Sequence, residues 1–346
     1  MSLFRKEAAK RPDPNRIGVL LLNLGTPKSP KPKHVRKFLK HFLSDRRVIE
    51  MHPLLWRPIL HGPILTFRPR RSGKIYQRIW TEDGSPLLLE TAALAQALAQ
   101  ELATAQTSIP VEFACTYGHP SVESALGKLK AAGAGKIIAL PLYPQYAASS
   151  SGASLDALWR ELLRQRNQPD VQTIAHYGAH PAYIKSLAKS VRMHWEAQGR
   201  ADHILFSFHG IPQAQDKAGD PYRLECERTA QLLAHELGLA QHEWTMSYQS
   251  KFGPAPWLLP STQDLFAKLP AEGVRTLSVI CPGFLTDCLE TLEEIALTGA
   301  EQFQAAGGDE LRYIPTLSTR EDWVQGLAQI ISETQSEGAQ LPTSRG

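Results

Sequence analysis

A histidine stands where an apolar run ends: residues 203–212 read "HILFSFHGIP". Gly210 and Pro212 stop the run, so His209 is presented at a strand tip on a stiff turn, where α/β proteins place chemistry. A second stretch, "CPGFLTDCLETLEEI" (281–295), carries acids at 287, 290 and 294. Read as a helix beginning near Asp287, at about 100° per residue, Asp287, Glu290 and Glu294 fall within about 60° of one another. Three carboxylates on one stripe are tolerable in water, but buried they need a cation or shared protons. The same residues also read as a helix start, with Asp287 at the N-cap, Glu290 three residues on in a capping box, and acids favoured by the dipole. A lone strand-tip histidine is commonly structural. Set opposite a carboxylate, a neutral imidazole can instead bind a divalent transition metal or move protons, and that pairing favours a functional reading.

Aromatic residues gather beside glycine and proline at the same strand ends. They are Tyr117 in "CTYGHP", Tyr143 and Tyr146 in "PLYPQY", Trp257 in "FGPAPWLLP" and Phe284 in "PGF". Walls of this kind suit a flat, apolar ligand. Arg46, Arg47 and Arg78 are placed to meet carboxylates on such a ligand, or simply to be solvated. No Gly-x-Gly-x-x-Gly or Walker loop is present, and no Gly-x-Ser-x-Gly elbow, so dinucleotide, nucleotide and serine-hydrolase chemistry lack their cradles.

These residues need a frame. Continuous β-rich runs occur at 17–23, 110–116, 136–142, 170–176, 202–208, 242–248, 274–280 and 311–314, as expected of parallel strands covered on both faces. Helical stretches alternate with them at 32–43, 86–104, 120–132, 153–166, 181–197, 221–238, 261–269, 287–305 and 320–334. The alternation predicts α/β architecture: two Rossmann-like domains, each with a four-stranded parallel sheet and helices on both faces, and a cleft between them. An internal echo supports two similar halves. "LNLGTP" (22–27) and "SFHGIP" (207–212) both place Gly fourth and Pro sixth, and prolines close "LPLYPQ" and "ICPGF". The expected domains are 16–150, completed by a C-terminal helix at 315–335, and 151–314. The first carries an insertion at about 44–86. Within it, "MHPLLWRPILHGPILTFRPRR" (51–71) holds four prolines, which argue against a regular helix. Its apolar, basic-edged character suits a lip touching a membrane surface or a greasy ligand.

Composition bounds the reading. The chain has 346 residues, 42% hydrophobic and 21% charged, with formal net charge +4. That is a soluble globular balance, and too mild a charge for a dedicated nucleic-acid binder. The N-terminus has no apolar leader segment, and no run approaches the ~18 apolar residues of a spanning helix. The four cysteines, Cys115, Cys226, Cys281 and Cys288, lack zinc or disulfide-framework spacing. They are expected to be reduced thiols of a cytoplasmic protein.

Taken together, "LNLGTP", "FLSDRRVIE", "CTYGHPS", "PLYPQY", "SFHGIP", "YQSKFGPAPWLLP" and "CPGFLTDCLETLEEI", in this order along residues 16–330, resemble the ferrochelatases, enzymes that insert ferrous iron into a porphyrin. The resemblance implies protoporphyrin IX and Fe²⁺ as substrates, a porphyrin cleft between the domains, and peripheral attachment to the cytoplasmic face of a membrane through the lip. It implies His209 as proton acceptor or metal ligand, Glu290 on the opposite face of the porphyrin, and Asp287 and Glu294 as a proton or metal relay. It implies porphyrin contacts from Tyr117, Tyr143, Trp257 and Phe284, and the turn residue Leu24 and the lip residue Arg78 are expected to join them. Some members hold a [2Fe–2S] cluster through cysteines. Here the corresponding segment reads "PQYAASS", with Ala148 at the ligand position, and no cysteine follows Cys288, so no permanently bound cofactor is expected. Leu24 stands where members that use coproporphyrin carry tyrosine, which points to protoporphyrin IX. A coproporphyrin or cobalt chelatase of the same fold, and a non-catalytic porphyrin carrier, are the alternatives.

Overall fold

Strand β1 (Asp13–Asn23) is charged and exposed at its start and wholly buried from Gly18 to Asn23. In the computed structural model, which describes residues 12–104 and 108–339, it is the centre of a sheet. Its parallel partners are β2 (Val111–Cys115) and β3 (Ala134–Pro141), and β4 (Asp170–Thr173) adds to the far side of β3, giving the order β2-β1-β3-β4. The second half repeats the pattern with β5 (His203–His209), β6 (Trp244–Gln249), β7 (Thr276–Ile280) and β8 (Glu310–Ile314), in the order β6-β5-β7-β8. Two four-stranded parallel sheets of identical relative order are what the paired turn motifs anticipated. The N-terminal residues 1–11, where no leader is expected, lie outside the described residues.

Helices fill the connections. In the first half they are α1 (Pro32–Phe42), α2 (Pro53–Ile59), α3 (Leu65–Ile79), α4 (Pro86–Glu101), α5 (Val122–Ala131) and α6 (Ala153–Leu162). Next come α7 (Pro181–Gln198), α8 (Gln213–Lys217), α9 (Tyr222–Leu237), α10 (Thr262–Ala271), α11 (Ala300–Ala305) and α12 (Glu321–Ala339). Helix α12 packs on α4 and α7, and α7 packs on α9. One apolar core therefore runs from Val19, Leu21 and Leu140 of the first sheet, through Leu187, Trp323 and Leu327, to Ile204, Phe206 and Phe208 of the second. Fully buried Trp323 packs against the rings of Tyr177 and Tyr183 (centroids 6.4 and 5.2 Å away), which also meet each other. The Tyr177 hydroxyl donates to the carbonyl of Pro141 at 2.9 Å, and the Tyr183 hydroxyl donates to that of Pro282. The two prolines that close the third strands are thus anchored alike.

Two expectations about local structure change. The proline-rich segment is helical: α2 runs into a π-helical turn, Leu60–Ile64, and then α3. A proline removes one backbone donor and crowds the carbonyl four residues back. Pro53 sits at the helix start, where no donor is needed. The widened turn around Pro63 shifts bonding to i→i+5, as in Leu65 N–H to Leu60 O. Nor is 287–305 one α-helix. A π-helix spans Leu289–Gly299, capped by Cys288 with Thr291 as its box partner, and α11 follows. Asp287 therefore lies before the cap, and the capping box is not the Asp287–Glu290 pair.

Candidate active site

The turn after β5 shows why glycine and proline follow the histidine. A Cβ on Gly210 would lie 3.0 Å from the Gln249 carbonyl oxygen and 3.1 Å from the Trp257 ring, inside normal contact. Leu258 N–H donates to Ile211 O at 3.0 Å, Gln213 N–H donates to Pro256 O at 2.9 Å, and Pro212 bridges to Trp257. The "HGIP" turn is thereby clamped to the "PAPW" loop. His209, partly buried, is the last residue of β5, in register with Gln249 of β6. Its Nδ1 lies 2.7 Å from the Gly210 carbonyl oxygen. A carbonyl only accepts, so Nδ1 carries a proton, and in the neutral tautomer this leaves the lone pair on Nε2. Trp257 stands with its ring centroid 6.5 Å from that of His209. A cavity of about 230 Å³ opens beside it, lined by Gly210, Gln249, Trp257 and Leu259 among others.

The acids divide into two groups. Glu294 accepts from Ser250 N–H at 2.7 Å, from Ser250 Oγ at 2.5 Å, and from the Gln263 side-chain amide. Burial pushes its carboxyl up, and Glu290 adds to the rise. The Ser250 hydrogen bonds and the nearby His209 oppose it. Glu294 thus lies within electrostatic reach of both His209 and Glu290, and Gln249 links the two, standing in register with His209 and bonded to the Glu290 carbonyl. Ser250 holds φ at +64° to aim its N–H at Glu294, a left-handed conformation that costs a non-glycine residue about 1–2 kcal/mol. Gln249, fully buried, donates through Nε2 to the Glu290 carbonyl oxygen at 2.7 Å and accepts from Ser207 Oγ at 2.6 Å. Asp287 belongs elsewhere. Its Oδ1 accepts from Thr291 Oγ1 at 2.8 Å and from the Tyr313 hydroxyl, and its N–H donates to Glu90 Oε2 at 2.8 Å. Burial raises both carboxyls, and the charge of Asp287 raises Glu90 further.

The first half faces Glu290 with phenols. Burial is the main reason that Tyr76 of α3 and Tyr143 have raised pKa values, and the Glu290 carboxylate contributes to each. Nearby, Arg68 of α3 crosses to the second half, its guanidinium 4.3 Å over the ring of Phe252. Its Nη1 is buried without a hydrogen-bond partner, and burial lowers its pKa. Arg78, by contrast, is already engaged, by Glu293 at 2.7 Å and Glu301 at 2.8 Å, and so ties α3 to the π-helix and α11. Tyr117 is buried in a cluster with Val35, Phe38 and Leu39, against which Leu24 packs. Its hydroxyl donates to Asp45 Oδ2 at 3.0 Å, and it lines a separate cavity of about 520 Å³. Phe284 packs partly against the core under the second sheet. His209, Trp257, Glu290, Glu294 and Tyr143 therefore gather around one region, whereas Asp287, Tyr117, Leu24 and Phe284 have their main contacts outside it. Among the described residues, no three His, Cys, Asp or Glu side chains form a ready metal-binding group.

Sequence reasoning passed over Arg68, Tyr76, Ser250 and Gln263. The first two lie eight apart, which is one helical face, but the prolines hid the helix. Ser250 follows Gln249 at the end of β6 in "SYQSKFG", a run of polar residues at a strand tip that is itself a signal.

Comparison with known proteins bears on this geometry. The ferrochelatase family pattern matches residues 16–335. The ferrochelatase of Neisseria gonorrhoeae is 51% identical over 319 residues, covering 92% of this chain and 94% of that one. Ferrochelatase 1 of Shewanella oneidensis is 49% identical over 322 residues, covering 92% and 96%. SirB from Bacillus subtilis, solved with Fe³⁺, superimposes with a TM-score of 0.54 at 15% identity over 93% of this chain and 98% of its own, a likeness of fold. A pattern spanning nearly the whole chain, and relatives at half identity over the same span, place this protein in the ferrochelatase family.

Proposed function

We propose that this chain inserts ferrous iron into protoporphyrin IX, releasing two protons, in haem synthesis. The observation that carries the site assignment is the shared environment of His209 and Glu290. The histidine's tautomer leaves a lone pair on Nε2, and Glu290 comes to the same region on the π-helix that follows β7, the strand paired directly beside β5, its carbonyl held by the Gln249 that stands in register with His209. Insertion needs the two pyrrole N–H protons to leave, the ring to buckle, and the metal to shed water. His209 takes a pyrrole proton or ligates Fe²⁺ on one face, and Glu290 serves the other. Aromatic walls at Trp257 and Tyr143 hold the macrocycle bent. Glu294 and Asp287 lead protons or metal outward. Leu24, packed in an apolar cluster just past the tip of β1, offers no side-chain partner to the extra carboxylates of coproporphyrin, which favours protoporphyrin. The test is an absorbance assay. Purified protein with protoporphyrin IX and either Fe²⁺ or Zn²⁺ gives the metalloporphyrin spectrum with both metals, since nitrogen and oxygen ligands barely separate the two. Coproporphyrin turned over faster than protoporphyrin would end the substrate assignment.

Arg68 is the cation we assign to a porphyrin carboxylate, because burial lowers its pKa and its buried Nη1 has no hydrogen-bond partner among the described residues. A buried charge without a partner is costly, and a charge-assisted pair is worth roughly 1.5–3 kcal/mol. Arg68→Ala raises KM for protoporphyrin by about 10- to 100-fold with kcat little changed. An unaltered KM in steady-state assays would assign Arg68 to packing instead.

The lip suits a lipid surface. Leu54, Leu55 and Phe67 are 75%, 65% and 72% exposed, beside exposed Arg57, Arg70 and Arg71. Among the described residues no helix is long and apolar enough to cross a membrane, so the contact we propose is peripheral, on the cytoplasmic face. The protein sediments with phosphatidylglycerol vesicles, and a Leu54→Asp, Phe67→Asp double variant does not. Equal sedimentation of the two would remove the lip from the membrane. No resident cofactor enters the proposal. At the position where a cluster ligand would stand, Ala148 donates its N–H to Asp220 at 2.8 Å.

A further inference from the structure

Two residues of the first half, Glu90 of α4 and Asn23 at the end of β1, reach into the second. Glu90 Oε2 accepts the N–H of Asp287 at 2.8 Å. Asn23 Nδ2, at the end of β1, donates to Thr91 Oγ1 at 2.8 Å and to Thr286 Oγ1 at 3.2 Å. Asn23, Thr91, Thr286 and Asp287 are all buried. The pair Thr286–Asp287 immediately precedes Cys288, the cap of the π-helix, and Glu290 is the second residue of that helix. Where the cap sits decides where Glu290 points, because a side chain in the first turn moves with it. π-helices are rare and hold only where their surroundings impose them. The ion pairs of Arg78 further along are partly exposed and contribute little on that account. A carboxylate in the Glu90 position costs desolvation that an apolar residue of the same size would not, and its hydrogen bonds, of which that from the Asp287 N–H is the largest and that from Ser318 another, offset that cost.

We infer that Glu90 is a positioning residue for Glu290: from the first half it fixes the cap of the π-helix in the second, and so sets the gap across which Glu290 and His209 act. This inference rests on the reading of Glu290 as the acting acid. It makes the alignment of the reacting groups depend on how the two halves are joined, and misplacement by about 1 Å is enough to cost on the order of 100-fold in rate.

Three variants test it. Glu90→Gln keeps an oxygen that accepts the Asp287 N–H at the same reach. Glu90→Asp is one methylene too short. Glu90→Met keeps the volume and removes the acceptor, and if either of these two fails to fold the other decides. Zinc insertion into protoporphyrin is measured as kcat and KM, with circular dichroism at the assay temperature to confirm folding. The expected result is kcat within about threefold of wild type for Glu90→Gln. For Glu90→Asp and Glu90→Met, kcat falls about tenfold or more while KM for porphyrin stays within twofold and the protein stays folded. Wild-type kcat in a folded Glu90→Asp or Glu90→Met protein overturns the inference, and so does a loss that merely follows the unfolded fraction. Glu290→Gln is measured alongside. Wild-type turnover there removes the parent reading, whereas an inactive Glu290→Gln with fully active Glu90 variants removes the positioning role alone.

Discussion

In a His209→Ala protein, metalloporphyrin forms about 10²- to 10⁴-fold more slowly, the range that a positioned proton acceptor contributes, while protoporphyrin still quenches tryptophan fluorescence at wild-type concentrations. The argument is local. The Gly210 carbonyl holds the ring proton on Nδ1, so Nε2 is the atom that can take a pyrrole proton or bind metal. Alanine removes both options and leaves the turn intact, since the bonds from Leu258 to Ile211 and from Gln213 to Pro256 are backbone-only. His209→Gln sharpens the test. An amide can hydrogen-bond but cannot accept a proton at neutral pH, so it rescues little. Wild-type chelation by the alanine protein would remove His209 from the mechanism.

What could be read in advance follows from the range of each interaction. Strands buried on both faces announce themselves as continuous apolar runs, as β1, β3, β5 and β7 do, whereas the partly exposed edge strands β2, β4, β6 and β8 were legible from their alternation with helical stretches. The histidine's turn was legible because glycine and proline are local signals, and the close approach of Trp257 to Gly210 gives the reason for the first of them. The π-helices were not legible. One extra residue per turn alters no residue type, so "DCLETLEEI" reads equally well as α-helix until Cys288 and Thr291 are seen to cap it. The lip failed for the opposite reason: its prolines are strong breakers, yet Pro53 starts a helix, a π turn takes up Pro63, and Pro58 and Pro69 lie inside α2 and α3. The supports of the site are long-range. Glu90 and Asp287 are 197 residues apart, and Glu294 meets Ser250 and Gln263 from 44 and 31 residues away. Apart from the polar run at the tip of β6, pairings at such separations leave no local mark.

These supports also rank the three acids, and the ranking predicts the outcome at Glu290. Asp287 is held by Thr291, Tyr313 and its own N–H bond to Glu90. Glu294 is saturated by Ser250 and Gln263 on both oxygens. Either must break several hydrogen bonds before it can take up a metal or a proton, at a net cost of about 1 kcal/mol or more for each bond. Glu290 is fixed through its backbone carbonyl by Gln249, and the side-chain partner recorded for its carboxylate is the weakly donating Cys288 thiol, which is more easily given up than the bonds that hold the other two. Glu290→Gln therefore lowers kcat by about 10²-fold or more with porphyrin affinity retained. Glu294→Gln lowers it by about tenfold, and chiefly reduces thermal stability, because the strained Ser250 loses an anionic acceptor. A protein that only carried porphyrin would bind equally well in all three forms and insert no metal in any. An enzyme whose Glu294→Gln variant is the more impaired of the two, at equal folded fraction, would have its acting acid four residues further along the π-helix.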